Sequence, residues 1–146
     1  MLINAKTDFY LNFIKDDPIR PNISAVARVT NPHEVYVLES DQGEIEAVIC
    51  VAFTKDVPTT EEELFSLQEE NRDIAVFYTV WSYSPGAGRK IVFEVAKEIK
   101  SVYNSKRYIT LSPKTEMARK FHLKNGAFKL QENELTVNYE YSKDLI

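Results

Sequence analysis

The chain has 146 residues, of which 44 % are apolar and 27 % charged, with a formal net charge of −4. That length suits one domain burying about 68–70 % of its unfolded surface. The mild acidity and the short basic clusters argue against nucleic acid as a general partner. There is no apolar run of about 18 residues, so no membrane helix and no membrane partner are expected. Met1 to Lys6 has neither a basic region nor an apolar h-region, and Cys50 is the single cysteine. A reducing, cytoplasmic location without a signal peptide is the expectation.

Thr7 to Lys15 reads as a first helix, with Phe9, Tyr10, Phe13 and Ile14 on its apolar face and Pro18 and Pro21 closing it. Ser24 to Val29 reads as a short strand. Glu34 to Leu38 and Ile45 to Phe53 are rich in β-branched and aromatic residues and read as strands, joined by a hairpin turn at Asp41 to Gly43. Glu61 to Glu63 forms an acidic first turn behind a threonine cap, and Leu64, Phe65 and Leu67 anchor a second, short helix. That acidic run reads as a solvated helix start; no metal site is expected.

Ile74 to Tyr83 is a long, aromatic-rich strand. A glycine turn, Ser84 to Gly88, leads from it into a third helix, Gly88 to Tyr103, whose stripe is Ile91, Val92, Val95, Ala96, Ile99 and Val102. A strand at Tyr108 to Leu111 follows. Ser112 as N-cap and Pro113 at the first helical position open a fourth helix, with Met117, Ala118 and Phe121 inward and Asn125-Gly126 at its end. Phe128 to Leu130 and Leu135 to Tyr141 close the chain as strands, the second placing Leu135, Val137, Tyr139 and Tyr141 on one face. Without repeats or linkers, residues 1–146 form a single α/β (α+β) domain, a mixed central sheet flanked by about four helices.

Strand, glycine turn and helix in this order suit an anion. Gly86 and Gly88 permit a tight turn with outward amides, and the helix N-terminus adds partial positive charge. Arg89 and Lys90 stand in the first helical turn, where they oppose the helix dipole by about 0.3–1 kcal/mol each; a bound pyrophosphate reverses the sign. A plain Pro-Gly turn with two solvated cations is the alternative. The loop is neither a Walker A loop nor GxGxxG, since Ile91 stands at the third glycine position.

From Ile74 to Phe128 the chain resembles the GNAT superfamily of acyl-CoA-dependent N-acyltransferases. The family's cofactor loop, Gln/Arg-x-x-Gly-x-Gly/Ala, corresponds to Tyr83 to Gly88. Its last-helix pattern corresponds to Thr115 to Gly126, with Ala118, Lys124 and Gly126 in register. The resemblance implies a splayed pair of parallel strands and acetyl-CoA as the donor. Val80 would then lie along the pantetheine arm, Tyr83 at the start of the cofactor loop, Ser84, Pro85, Gly86, Ala87, Gly88 and Arg89 around the pyrophosphate, and Thr115 at the cofactor from the last helix. It also implies transfer of acetyl to a primary amine of a small molecule or peptide, and it is compatible with a homodimer. An inactive acyl-CoA-binding or interaction protein is the alternative.

Tyr83 replaces the family's Gln or Arg, Thr115 its Asn, and His122 the tyrosine that serves many members as general acid. Glu94 and Glu98, both on the third helix, are the only carboxylates between Ile74 and Pro113. A water relay through Ser82 or Ser112 is the substitute base. His122 has two readings: a boundary histidine without a chemical role, or the proton donor to the leaving thiolate, with an ordinary pKa of about 6.5 unless burial moves it. His122 and Ser112 are the candidate catalytic residues.

Overall fold

The computed structural model describes residues 1–146, the Asp8 side chain excepted. Four strands, β1 (Leu2–Ala5), β2 (Glu34–Glu39), β3 (Ile45–Thr54) and β4 (Ile74–Ser82), pair antiparallel in chain order. β4 then pairs in parallel with β5 (Arg107–Thr110), which requires a crossover; the 17-residue helix α4 (Ala87–Tyr103) supplies it. β8 (Thr136–Tyr141) continues the sheet antiparallel to β5 and also carries β6 (Ser112–Pro113) and β7 (Phe128–Glu132). The expected mixed α/β sheet with one central parallel pair is present.

Alternation along the strands divides the core in two. On β3, Ala47, Ile49, Val51 and Phe53 face α4, while Val48, Cys50 and Ala52 face the N-terminal segments. The α4 stripe is buried from Ile91 to Ile99 but stops there: Val102 is 59 % exposed. The opposite layer holds α1 (Asp8–Leu11), a 3-10 turn (Asn12–Asp16), α2 (Ala25–Val29) and α3 (Glu63–Ser66). At the open end of the sheet, α5 (Glu116–Lys124) sets Phe121 against Gly88 at the start of α4. No helix among the described residues is long and apolar enough to cross a membrane.

Four expectations are corrected. The first helix breaks into α1 and a 3-10 turn, and Phe9 points outward. Ser24 to Val29 is helical because the Ser24 hydroxyl accepts from the Ala27 amide as an N-cap, with Arg28 buried, Val29 packed against the core and Val26 exposed. Ser112 does not cap a helix. Its backbone pairs with Val137 and its hydroxyl donates to Thr110 Oγ1, so Thr115 becomes the N-cap of α5 through the Ala118 amide. Finally, Met117 and Leu135 are exposed, whereas His122 is buried.

The fully buried Arg28 organises the N-terminal layer. Its Nη1 donates to Asp17 Oδ2 at 2.6 Å and its Nε to the Ile23 carbonyl at 3.1 Å. Nη1 also lies 3.4 Å from Cys50 Sγ. Burial pushes the Cys50 thiol up to about 11, so it packs as a small apolar side chain rather than a nucleophile.

Candidate functional site

The parallel pair is short. Pairing runs from Ile74 opposite Arg107 to Phe77 opposite Thr110, and the Leu111 amide makes the last bond, to the Phe77 carbonyl. β4 continues to Ser82, while the chain after β5 turns away to form β6 on β8. A bulge lies at the point of parting. Thr79 stands opposite Cys50 and Phe77 opposite Val51, leaving Tyr78 as the extra residue. The side-chain phase flips there: Val76, Tyr78 and Trp81 all join the N-terminal core, and Val80 turns to the other side. No second strand then covers the upper part of β4.

The gap is a cleft of about 500 Å³. β4 from Thr79 to Ser82 lines one side, Leu111 to Pro113 another, and Ala118, Phe121 and His122 of α5 a third. No Asp, Glu, Lys or Arg lines it among the described residues. An interior of that kind strengthens any dipole aimed into it.

At the upper end of the cleft stands the glycine turn. Gly86 has φ = +80°, a left-handed conformation that disfavours other residues, and it caps α4. The Ala87 amide bonds back to Ser84 and that of Lys90 to Gly86, whereas the amides of Gly86, Gly88 and Arg89 have no hydrogen-bond partner among the described residues. Gly88 borders the cleft; Gly86 borders an open pocket of about 520 Å³ that also meets Arg89, Lys90 and Lys97. The Arg89 guanidinium is held 5.0 Å above the Phe93 ring. A Cβ on Gly88 would come within 3.2 Å of Phe121, so this glycine also lets α5 approach. Free amides and cations on one side and an uncharged cleft on the other fit a ligand with a polyanionic head and an uncharged arm.

The other candidate cofactor residues scatter. Val80 is half-buried on β4 and, like Thr115, borders the cleft, although the Thr115 hydroxyl is engaged in capping α5. Ser84 and Pro85 shape the turn without bordering either pocket, and Ala87 is buried beneath it. The Tyr83 side chain points elsewhere. Its hydroxyl donates to Asp16 Oδ2 at 2.8 Å and accepts from Trp81 Nε1 at 3.0 Å, tying the end of β4 to the 3-10 turn.

Both candidate catalytic residues reach the cleft, and both are buried. His122 Nδ1 lies 2.8 Å from the Tyr141 hydroxyl, and its ring stacks on Tyr139. Desolvation lowers the His122 pKa to about 4, so the ring is neutral at pH 7. Burial pushes the Tyr141 phenol up, which keeps its proton in place. With that phenol donating to Nδ1, the imidazole proton sits on Nε2. Sequence reasoning missed Tyr141 as a partner: the alternation along β8 marked it only as sharing a face with Val137 and Tyr139. The Ser112 hydroxyl lies 2.8 Å from Thr110 Oγ1, and the Thr110 hydroxyl in turn accepts from the Tyr139 amide.

No family model matches this chain, and no curated protein does. Its fold is that of the GNAT acetyltransferases. It is similar to the N-acetyltransferase PseH of Campylobacter jejuni, with 11 % identity over 98 % of this chain and 97 % of that one and a TM-score of 0.66. It is also similar to a Bacillus subtilis acetyltransferase solved in complex with CoA, with 11 % identity, coverage of 97 % and 96 %, and a TM-score of 0.64. A malonyl-CoA decarboxylase from Agrobacterium vitis superimposes on 100 % of the chain with 15 % identity and a TM-score of 0.79; this chain spans 61 % of that protein's length.

Proposed function

We propose that this protein is an acyl-CoA-dependent N-acyltransferase that moves acetyl from acetyl-CoA to a primary amine. The observation that carries the reading is the set of free amides at Gly86, Gly88 and Arg89, placed where the uncharged cleft beside β4 opens. These amides and the N-terminal dipole of α4 would hold the pyrophosphate, with Arg89 and Lys90 adding charge. The unpaired edge of β4 from Thr79 to Ser82 offers backbone groups to the amides of a pantetheine arm, as an added strand would use them. When bound, the thioester supplies an activated carbonyl. Backbone dipoles at the Tyr78 bulge stand in a cleft where few other charges compete to polarise that carbonyl. The Nε2–H of His122 is the side-chain hydrogen-bond donor for a leaving thiolate, which would take its proton from water. Ser112 is the hydroxyl that would carry the amine's proton outward through water.

Calorimetry with coenzyme A and acetyl-CoA tests the reading. The wild-type protein is expected to bind both. Gly88→Glu is expected to bind neither, through its clash with Phe121 and a carboxylate among the amides. Absence of wild-type binding at millimolar coenzyme A would overturn the proposal.

A second reading has one observation in its favour. The cleft contains no carboxylate base among the described residues, and decarboxylation of a malonyl thioester needs a proton donor but no base. Incubation with malonyl-CoA and no amine discriminates: release of CO2 with formation of acetyl-CoA favours decarboxylation, and inert malonyl-CoA removes it. Coenzyme A binding with neither reaction would leave an acyl-CoA-binding protein.

A further inference from the structure

Arg20 is 6 % exposed, yet its guanidinium is only partly used. Nη2 donates to the Leu111 carbonyl at 2.8 Å, whereas Nε and Nη1 have no hydrogen-bond partner among the described residues. Glu61 Oε1 lies 3.7 Å from Nε, close enough for an ion pair but not for a hydrogen bond, and the Glu61 side chain is about half exposed. Buried donors without partners are rare in folded proteins, and a charged donor is the costliest to leave so.

Arg20 and Glu61 border a cavity of about 380 Å³. Its walls are Ile19–Arg20, Thr59–Glu61 and the turn Asn133–Thr136. They are fastened together: Thr136 Oγ1 donates to the Thr59 carbonyl at 2.6 Å, and Asn138 Nδ2 to the Pro58 carbonyl at 2.9 Å. Arg20 itself is preset, with its amide on Asp17 Oδ1 at 3.0 Å and its carbonyl on Arg28. The cavity shares Ile19 and Pro113 with the cleft, and Arg20 stands on Leu111, the residue at which β5 parts from β4.

We propose that this second cavity receives a carboxylate of the acceptor on the unpaired N–H groups of Arg20, which makes the acceptor an amine that also bears one carboxylate. The inference rests on the cleft being the acyl-thioester site. A carboxylate suits a guanidinium held in a fixed pose, because planar donors and planar acceptor match. Glu61 and Glu134 also border the cavity. Two acidic groups beside one guanidinium repel a phosphate or other polyanion, and they tolerate a monocarboxylate whose own ammonium offsets its charge. The same carboxylate chemistry has a second source, the acyl group of a dicarboxylic thioester, but Arg20 borders the cavity beyond the cleft rather than the cleft itself.

Ligand-observed NMR titration with N-acetylglycine and its neutral counterpart N-acetylglycinamide tests this, with and without coenzyme A, on wild type, Arg20→Gln and Glu61→Gln. Wild type is expected to prefer the acid by at least roughly 10-fold, and Arg20→Gln to lose the preference. Glu61→Gln alters a half-exposed side chain and is expected to keep the fold while tightening acid binding about 3-fold or more, since it removes the competing carboxylate. Equal affinity for acid and amide, with no gain in Glu61→Gln, overturns the inference. An Arg20-dependent preference for succinyl-CoA over acetyl-CoA, without one for N-acetylglycine, also overturns it by moving the carboxylate to the acyl group. Coenzyme A binding without acid preference sinks this inference alone. Acid preference without coenzyme A binding sinks the acyl-CoA reading and leaves the Arg20 site standing.

Discussion

His122 shows how burial rewrites the chemistry of a single residue. An imidazole in the unfolded chain titrates near 6.5, whereas the folded protein holds His122 at about 4 through desolvation. The neutral ring is the form that fits. Its stabilising contribution is therefore complete above about pH 6.5 and is lost as the pH falls from 6.5 towards 4, with no further loss below. A depression of that size corresponds to about 3 kcal/mol. Denaturation midpoints across this window are expected to fall more steeply for wild type than for His122→Gln, because all other titrating groups are shared. Parallel profiles would show that the ring tolerates its charge. The same shift moves the expected kinetic signature: turnover should not fade between pH 6.5 and 7.5 through loss of an imidazolium, since none is present there.

The β4–α4 junction carries the site at the scale of elements. Three features meet within it: the Tyr78 bulge that releases β4 from β5, the left-handed Gly86, and a first helical turn in which the Gly88 and Arg89 amides are free. Arg89 belongs to this unit, lying over Phe93 beside the open pocket. A hydrogen bond to a charged group contributes about 1.5–3 kcal/mol, so Arg89→Ala is expected to weaken coenzyme A binding by that amount. The difference should shrink as salt rises, because exposed charges are screened. Equal calorimetric affinity in mutant and parent would assign the anion to the backbone amides alone.

Across the whole molecule, the cavity beside Arg20 depends on how the N-terminal layer is fastened to the sheet. That layer has short helices and few long apolar stripes, and the Arg28–Asp17 pair secures it, both side chains being fully buried. Removing one partner of such a pair leaves an uncompensated buried charge. Arg28→Met is therefore expected to cost about 3–5 kcal/mol in urea unfolding. Adding Asp17→Asn should recover part of the loss by removing the stranded carboxylate. A cost under about 1 kcal/mol would mean that apolar packing holds the layer without the pair.

The fold and the turn were legible in sequence because they follow from local periodicity. The α4 stripe repeats at helical spacing, β3 and β4 are dense in β-branched and aromatic residues, and the two glycines of Ser84 to Gly88 mark a turn by their conformational freedom alone. The motif at Thr115 to Gly126 likewise located α5, though not its cap: whether Ser112 or Thr115 takes that role depends on strand pairing with Val137, which lies 25 or so residues on. The bulge at Tyr78 leaves no local trace, since one extra residue is defined only against the partner strand. The neutral His122 depends on Tyr139 and Tyr141 closing over it, and the partly unsatisfied Arg20 guanidinium on distant segments meeting around it. Sequence thus determined where the glycine turn and the start of α4 lie, because backbone freedom and helix polarity are local properties. Only tertiary structure decided which side chains are dehydrated, paired or left free, because dehydration and pairing depend on neighbours far away in the chain.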